Sequence, residues 1–179
     1  MQSSSDKHHQ THVIRRIRQH DNAVVAQIIR TVMTEYGAVG EGYSIEDSEV
    51  DDMFGAYSGN RSAFFVIEKN GVIAGCGGIA PLGSEKVERG TGETGVSETC
   101  ELRKMYFLPE LRGTGMGTTL LDLCLEMARE KGFRLCYLET IEAMKEARRL
   151  YARHGFVVLE APMGNTGHSA CNKWMVKQL

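Results

Sequence analysis

Leu108-Pro109-Glu110-Leu111-Arg112-Gly113-Thr114-Gly115-Met116-Gly117 joins the end of a predicted strand to the start of a predicted helix through an arginine and a run of alternate glycines. Glycine has no Cβ, so this backbone can take dihedrals closed to other residues and bring several N–H groups to one anion. The helix that follows, Thr118-Thr119-Leu120-Leu121-Asp122-Leu123-Cys124-Leu125-Glu126-Met127-Ala128-Arg129, opens with amides that have no intrahelical acceptor and with the positive end of its dipole. Together these describe a cradle for a pyrophosphate, to which Arg112 adds a charge-assisted bond.

Two familiar phosphate loops differ from it. A Walker-type loop needs a lysine after its last glycine, and Gly117 is followed by Thr118. A dinucleotide fingerprint fits better, with Glu139 ending the next strand, but its third glycine falls on Thr118 and Pro109-Glu110-Leu111-Arg112 intervenes after the strand. That fingerprint also follows a strand that is nearly all apolar, whereas this one reads Cys100-Glu101-Leu102-Arg103-Lys104-Met105-Tyr106-Phe107. Charges at that density beside a phosphate loop suggest the wall of an active site.

Outward from the loop, the pattern alternates. Val13 to Arg18 is a predicted strand, and Asp21 or Asn22 caps a helix carrying Val24, Val25, Ile28, Ile29 and Val32. A weaker helical stretch spans Ser48 to Tyr57. Ser62 to Glu68 and Val72 to Ala80 read as strands joined by a hairpin with Asn70-Gly71 at its tip. Gly83 to Glu98, rich in Gly, Glu, Ser and Thr, reads as a mobile, solvated connection. After the glycine loop and its helix come a strand over Arg134 to Thr140, a helix from Ala143 to His154, and strands over Phe156 to Glu160 and Lys173 to Val176. Hairpin strands followed by β-α-β-α-β imply an α/β fold of the α+β type, with about six or seven strands in one mixed sheet and about four helices around it.

The chain has 179 residues, 42% of them hydrophobic, which suits one domain with a sizeable core. The polar Met1 to Thr11 reads as a disordered leader, and residues 12–179 as the domain. A formal net charge of −2 gives no general attraction to nucleic acid or to anionic membranes. Neither a run of about 18 apolar residues nor a secretory leader is present. The odd set Cys76, Cys100, Cys124, Cys136 and Cys171, without Cys-x-x-Cys spacing, suggests buried thiols in a cytoplasmic protein.

Arg112-Gly113-Thr114-Gly115-Met116-Gly117 resembles motif A of the GCN5-related N-acetyltransferases (GNAT family), whose signature is Arg or Gln, two residues, Gly, one residue, and Gly or Ala. Met144-Lys145-Glu146-Ala147-Arg148-Arg149-Leu150-Tyr151-Ala152-Arg153-His154-Gly155-Phe156 resembles that family's next helix, with Leu-Tyr before a Gly-Phe strand entry. The element order matches over nearly the whole chain. The resemblance implies acetyl-CoA bound in a V-shaped opening between the strand before the loop and the strand after its helix. It implies main-chain pairing of Met105, Tyr106 and Phe107 with the pantetheine arm, and amides of Arg112, Gly113, Thr114, Gly115, Met116, Gly117 and Thr118 on the pyrophosphate.

Acetyl transfer to an amine by direct attack in a ternary complex needs a base, a donor for the oxyanion and an acid for the departing thiolate. The resemblance implies Tyr151 as the acid, although Met144, Ala147 and Tyr151 also share a helical stripe that could be plain core. It implies Glu101 as the base, against the alternative that Glu101 pairs with Arg103 or Lys104 on the strand face. Glu139, Glu98 and His168 are reserves. A main-chain amide near Met105, splayed by a bulge, would polarise the thioester carbonyl. His168 and Cys171 are too few ligands for zinc, so no metal is expected. The acceptor is expected to be a small-molecule or amino-acid-like amine. Arg103 either meets a substrate carboxylate or closes on Glu101. Exposed strand edges point to a homodimer. A non-catalytic acyl-CoA-binding module and a nicotinamide-dinucleotide oxidoreductase are the alternatives.

Overall fold

The computed structural model describes residues 11–83, 86–88, 94–164 and 166–179. The leader expected over residues 1–11 lies outside the described residues except for Thr11, whose N–H donates to Asn70 Oδ1 and whose carbonyl accepts from the Asn70 N–H. Strand β1 (His12–Arg16) follows at once and runs antiparallel to β2 (Ala63–Lys69). Asn70 and Gly71 both take left-handed dihedrals, φ 52° and 82°, which turn β2 tightly back into β3 (Val72–Pro81).

The remaining strands are β4 (Lys86–Glu88), β5 (Thr94–Val96), β6 (Thr99–Phe107), β7 (Leu135–Thr140), β8 (Val157–Leu159) and β9 (Lys173–Gln178). Seven of the nine form one sheet in the order β1-β2-β3-β6-β7-β9-β8, in which only β6 and β7 pair in parallel. The expectation of a mixed sheet, antiparallel in front and parallel around the glycine loop, holds. The connection over Gly83 to Glu98 differs from expectation. It contains a small hairpin of its own, β4 against β5, with Val87 opposite Gly95. Its Gly- and Glu-rich composition hides two strands of three residues each, too short to show alternation.

The helices lie on both faces of the sheet. Helix α1 (Asn22–Glu35) buries Val25, Ile28, Ile29 and Val32, one stripe of an amphipathic helix. With α2 (Met53–Ala56) it covers Phe64, Val66 and Cys76. Helices α3 (Met116–Glu130) and α4 (Lys145–Arg153) cover the other face, where Leu120, Leu121, Cys124 and Tyr151 pack on Phe65, Ile67 and Cys100.

Two irregularities in β6 create the site. The first is a bulge: the register passes from Gly78 opposite Arg103 to Cys76 opposite Tyr106, so Lys104 and Met105 together face Gly77, and Lys104 takes φ 54°. The extra residue shifts the alternation. Cys100 and Leu102 before it and Met105 and Phe107 after it all serve the α3 core, while Lys104 turns to the α1 side and bonds Ser44 and Asp47. The second is a splay. Pairing of β6 with β7 runs from Thr99 to Glu101 and stops, although β7 continues along β9 to Thr140 and β6 along β3 to Phe107. Beyond Glu101 and Tyr137 the inner edges of both strands stand open.

Candidate active site

The open V leads into a cleft of about 420 Å³ walled by Met105, Tyr106 and Phe107 of β6, by Arg112, Gly113, Gly115, Gly117 and Thr118 of the glycine loop, and by Ala147, Leu150 and Tyr151 of α4. Gly113 and Gly115 have φ 72° and 86°, the left-handed region that side chains disfavour, and Gly115 is the residue that caps α3. The first bond of the helix region runs from the Thr119 N–H to the Gly115 carbonyl, which leaves the preceding amides without intrahelical acceptors. Gly117 lies in the first turn of α3 with ordinary helical dihedrals, so unlike Gly113 and Gly115 it holds no conformation closed to a side chain. The side chains of Thr114 and Met116 point elsewhere: Thr114 Oγ1 donates to the Leu111 carbonyl at 2.7 Å, and Met116 packs on the core.

Of the β6 residues expected to pair with an extended ligand, Met105 and Phe107 offer main-chain groups to the V. Tyr106 does not. The Leu108 N–H donates to the Ala74 carbonyl, and by the alternation of a strand the main chain of Tyr106 also faces β3, opposite Cys76. Its side chain instead reaches across the sheet, with the hydroxyl 3.1 Å from Ser44 Oγ. Arg112 also departs from expectation. Its guanidinium donates twice to Glu35 at 2.6 and 2.7 Å and through Nε to the Phe107 carbonyl at 2.9 Å, and its N–H donates to the Pro109 carbonyl. The arginine stands at the cleft wall with its charge already paired to α1.

Tyr151 lies where the cleft meets a second, smaller cavity of about 50 Å³, walled also by Tyr43, Lys104, Glu139, Ile141 and Cys171. Met105, Tyr106, Met144 and Tyr151 belong to both walls. Burial pushes the Tyr151 phenol well above the ordinary tyrosine range, and no hydrogen bond to a described residue opposes this, so the hydroxyl keeps its proton. Its ring packs against Phe156, 5.8 Å between centroids. The helical stripe and the site are thus the same face of α4.

Beneath the smaller cavity lies a buried charge network. Lys104 Nζ bonds Asp47, donates to the Ser44 carbonyl at 3.2 Å and lies 3.4 Å from Glu49. His168 bridges two carboxylates, with Nε2 2.9 Å from Asp47 and Nδ1 3.3 Å from Glu139. These two partners push the imidazole up to about 9, so it is an imidazolium at neutral pH. Burial alone would raise Glu139, but bonds from His168, from the Tyr137 hydroxyl at 2.7 Å and from Thr166 hold it below the usual carboxylate range. Glu101 behaves oppositely. Only 2% exposed, it is raised by burial even though Arg103 Nε donates to it at 2.5 Å, and it reaches neither cavity wall. Donor atoms of Glu101, Glu139 and His168 come within 4.8 Å of one another. Each already has a partner in the network: Arg103 for Glu101, Tyr137 and Thr166 for Glu139, and Asp47 for His168.

A family model described as the acetyltransferase (GNAT) family matches residues 25–156. The chain belongs to this GNAT acetyltransferase family. It is 42% identical over 172 residues to the uncharacterized N-acetyltransferase YjgM of Escherichia coli (strain K12), covering 95% of this chain and 96% of the relative. Its fold superimposes on a GNAT acetyltransferase from Staphylococcus aureus Mu50 with a TM-score of 0.76 at 16% identity, over 94% of this chain and 99% of that one. The Salmonella typhimurium protein yncA, solved with its cofactor acetyl-CoA, gives 0.69 at 21% identity, over 93% of each chain. Family membership sets aside the nicotinamide oxidoreductase and the non-catalytic module.

The acetyltransferase also holds site residues that the sequence reading passed over. Asp47 sits in a stretch without periodicity, and nothing in its surroundings announces a partner 57 residues away. Lys104 was visible as a charge in mid-strand, but its burial depends on the bulge. Glu35 is the last residue of α1 and reads as solvated until Arg112 is placed against it.

Proposed function

We propose that this acetyltransferase transfers the acetyl group of acetyl-CoA to the primary amine of a small molecule by direct attack in a ternary complex. The observation that carries the reading is Tyr151, a protonated hydroxyl with no partner among the described residues, at the junction of the glycine-loop cleft and the smaller cavity. The pyrophosphate takes the amides of Gly113, Gly115, Gly117 and Thr118. The pantetheine arm lies along the open edge of β6 and pairs with main-chain groups of Met105 and Phe107. The bulge at Lys104 turns the Met105 N–H toward the thioester carbonyl, where it stabilises the developing oxyanion. The amine enters the smaller cavity beside ionised Glu139, which accepts its proton directly or through water. Tyr151 gives its proton to the departing thiolate.

In this arrangement Glu139 replaces Glu101 as the base, because Glu139 lines the smaller cavity and Glu101 does not, both side chains being covered and hydrogen-bonded. Glu101 is a positioning residue beneath it. No helix among the described residues is long and apolar enough to cross a membrane. The cysteines are free thiols, four of them buried, which supports a cytoplasmic enzyme. The homodimer expected from exposed strand edges has an apolar edge to cover in Val157 and Val158 of β8, and equilibrium sedimentation checks it. The catalytic reading is tested by thiol release from acetyl-CoA over a panel of amines. Tyr151→Phe and Glu139→Gln should each lower kcat by about a hundredfold, and Glu101→Gln by less. Equal rates in all three variants and the wild type would refute these roles.

A further inference from the structure

We infer that the acceptor of this enzyme is a small aliphatic or arylalkyl amine with no carboxylate beside the reacting nitrogen. The inference rests on the transferase reading above and follows from the charges around the smaller cavity. An α-amino acid brings an ammonium and a carboxylate on adjacent positions, and a site built to hold one pairs the carboxylate with a cation.

Among the described residues the cations of this network are all engaged, and Arg153 of the larger cleft does not reach the smaller cavity. An ammonium has three N–H donors, and those of Lys104 face Asp47, the Ser44 carbonyl and Glu49. His168 has two, directed at Asp47 and Glu139. Arg103, the residue from which a carboxylate contact could be expected, closes on Glu101 at 2.5 Å, lies 3.9 Å from Glu49 and reaches neither cavity wall. Arg112 at the far end of the cleft is held by Glu35. Among the described residues, the cations that the carboxylates Asp47, Glu49, Glu101 and Glu139 face are Lys104, Arg103 and His168, so the network has no positive charge to spare. The carboxylate that reaches the cavity wall is Glu139. A substrate carboxylate next to the amine would lie against Glu139 with no cation to offset the repulsion, whereas an alkylammonium arrives attracted to it. Apolar groups on the same wall, Met33, Ala38, Leu138, Ile141 and Met144, suit an aliphatic body.

Matched amines that differ only at the carboxylate test this. The wild-type enzyme is assayed for acetylated product with isoamylamine, leucine and leucinamide, with agmatine, arginine and argininamide, and with phenethylamine, phenylalanine and phenylalaninamide. Within the best-used series, the amine and the amide should exceed the amino acid in kcat/KM by at least about tenfold. Glu49→Gln, at a residue outside the cavity wall, removes one carboxylate, loosens a Lys104 donor and should narrow that gap. An amino acid used as well as its decarboxylated partner overturns the inference and leaves the transferase reading intact. No acetylated product in any series, with acetyl-CoA still raising the melting temperature, overturns both.

Discussion

Replacing Gly115 by alanine, with Gly117→Ala as its control, isolates the contribution of the loop's backbone. Gly115 has φ 86°, and a Cβ there would meet no atom within 4 Å, so the cost of the substitution is conformational and not steric. The left-handed region costs a residue with a side chain about 1–2 kcal/mol. The smaller entropy of the unfolded alanine chain returns about 0.4–1 kcal/mol. A net loss near 1 kcal/mol should lower Tm by about 2–4 °C in a domain of this size. At Gly117, in the first turn of α3, a Cβ would sit 3.5 Å from Leu150 and 3.8 Å from Phe107, ordinary contact distances. Alanine there should stabilise the helix by up to about 1 kcal/mol. The two variants should also part in ligand binding. If the Gly115 amide holds a phosphate oxygen, its displacement removes a charge-assisted bond of about 1.5–3 kcal/mol, or tenfold to a hundredfold in Kd for CoA. Calorimetric titration with CoA and with pantetheine, which lacks the phosphates, reads this directly. Gly115→Ala should weaken CoA and spare pantetheine. Unchanged CoA affinity in Gly115→Ala, or equal weakening of both ligands, would refute the cradle.

Tyr151→Phe removes a hydroxyl with no partner among the described residues, so Tm should stay within about 1 °C of wild type while kcat falls; a large loss of stability would mean that the hydroxyl is structural. His168 is raised from an ordinary value near 6.5 to about 9 on folding, so its stabilising contribution is complete below pH 6.5 and is lost as pH rises through 9. Urea unfolding at pH 6, 8 and 10 should show that decline in the wild type, with a ceiling of about 3 kcal/mol, and a flatter profile in His168→Gln. Asp47 and Glu139 are held low, so their contribution is present at neutral pH and disappears as acid protonates them; acid unfolding of Asp47→Asn should depend less on pH than that of the wild type. Glu35→Gln loosens the bidentate grip on Arg112 and should let the guanidinium turn to the pyrophosphate, giving tighter CoA binding with a steeper salt dependence. Weaker binding would show that Glu35 positions the loop.

The legible parts of the molecule are those fixed by local rules. Asn70-Gly71 dictates a hairpin because few other dipeptides take two positive φ angles, and the stripe of Val25, Ile28, Ile29 and Val32 dictates which side of α1 is buried. The loop at Gly113 and Gly115 was legible for the same reason, and Tyr151 through the pattern around it. Long-range pairing was not. Glu101 and Glu139 are both acidic residues on adjacent strands, and only the splay after Tyr137 decides which of them borders the cavity. A single inserted residue at Lys104 reverses the side on which every later β6 residue falls, and a strand's alternation gives no warning of it. The partners Asp47 and His168 come from two irregular segments 121 residues apart, where no periodicity exists to be read.

The claim that acetyl passes directly from acetyl-CoA to an amine beside Glu139, with Tyr151 protonating the thiolate, is tested most directly by following an isotopic label in the acetyl group. Acetyl-CoA so labelled, incubated with the enzyme and isoamylamine and analysed by mass spectrometry, should yield labelled N-acetyl amine and an unlabelled protein, at a rate that drops sharply in Tyr151→Phe. Label retained on the protein, for example on the Cys171 thiol, or released only as free acetate, would contradict it.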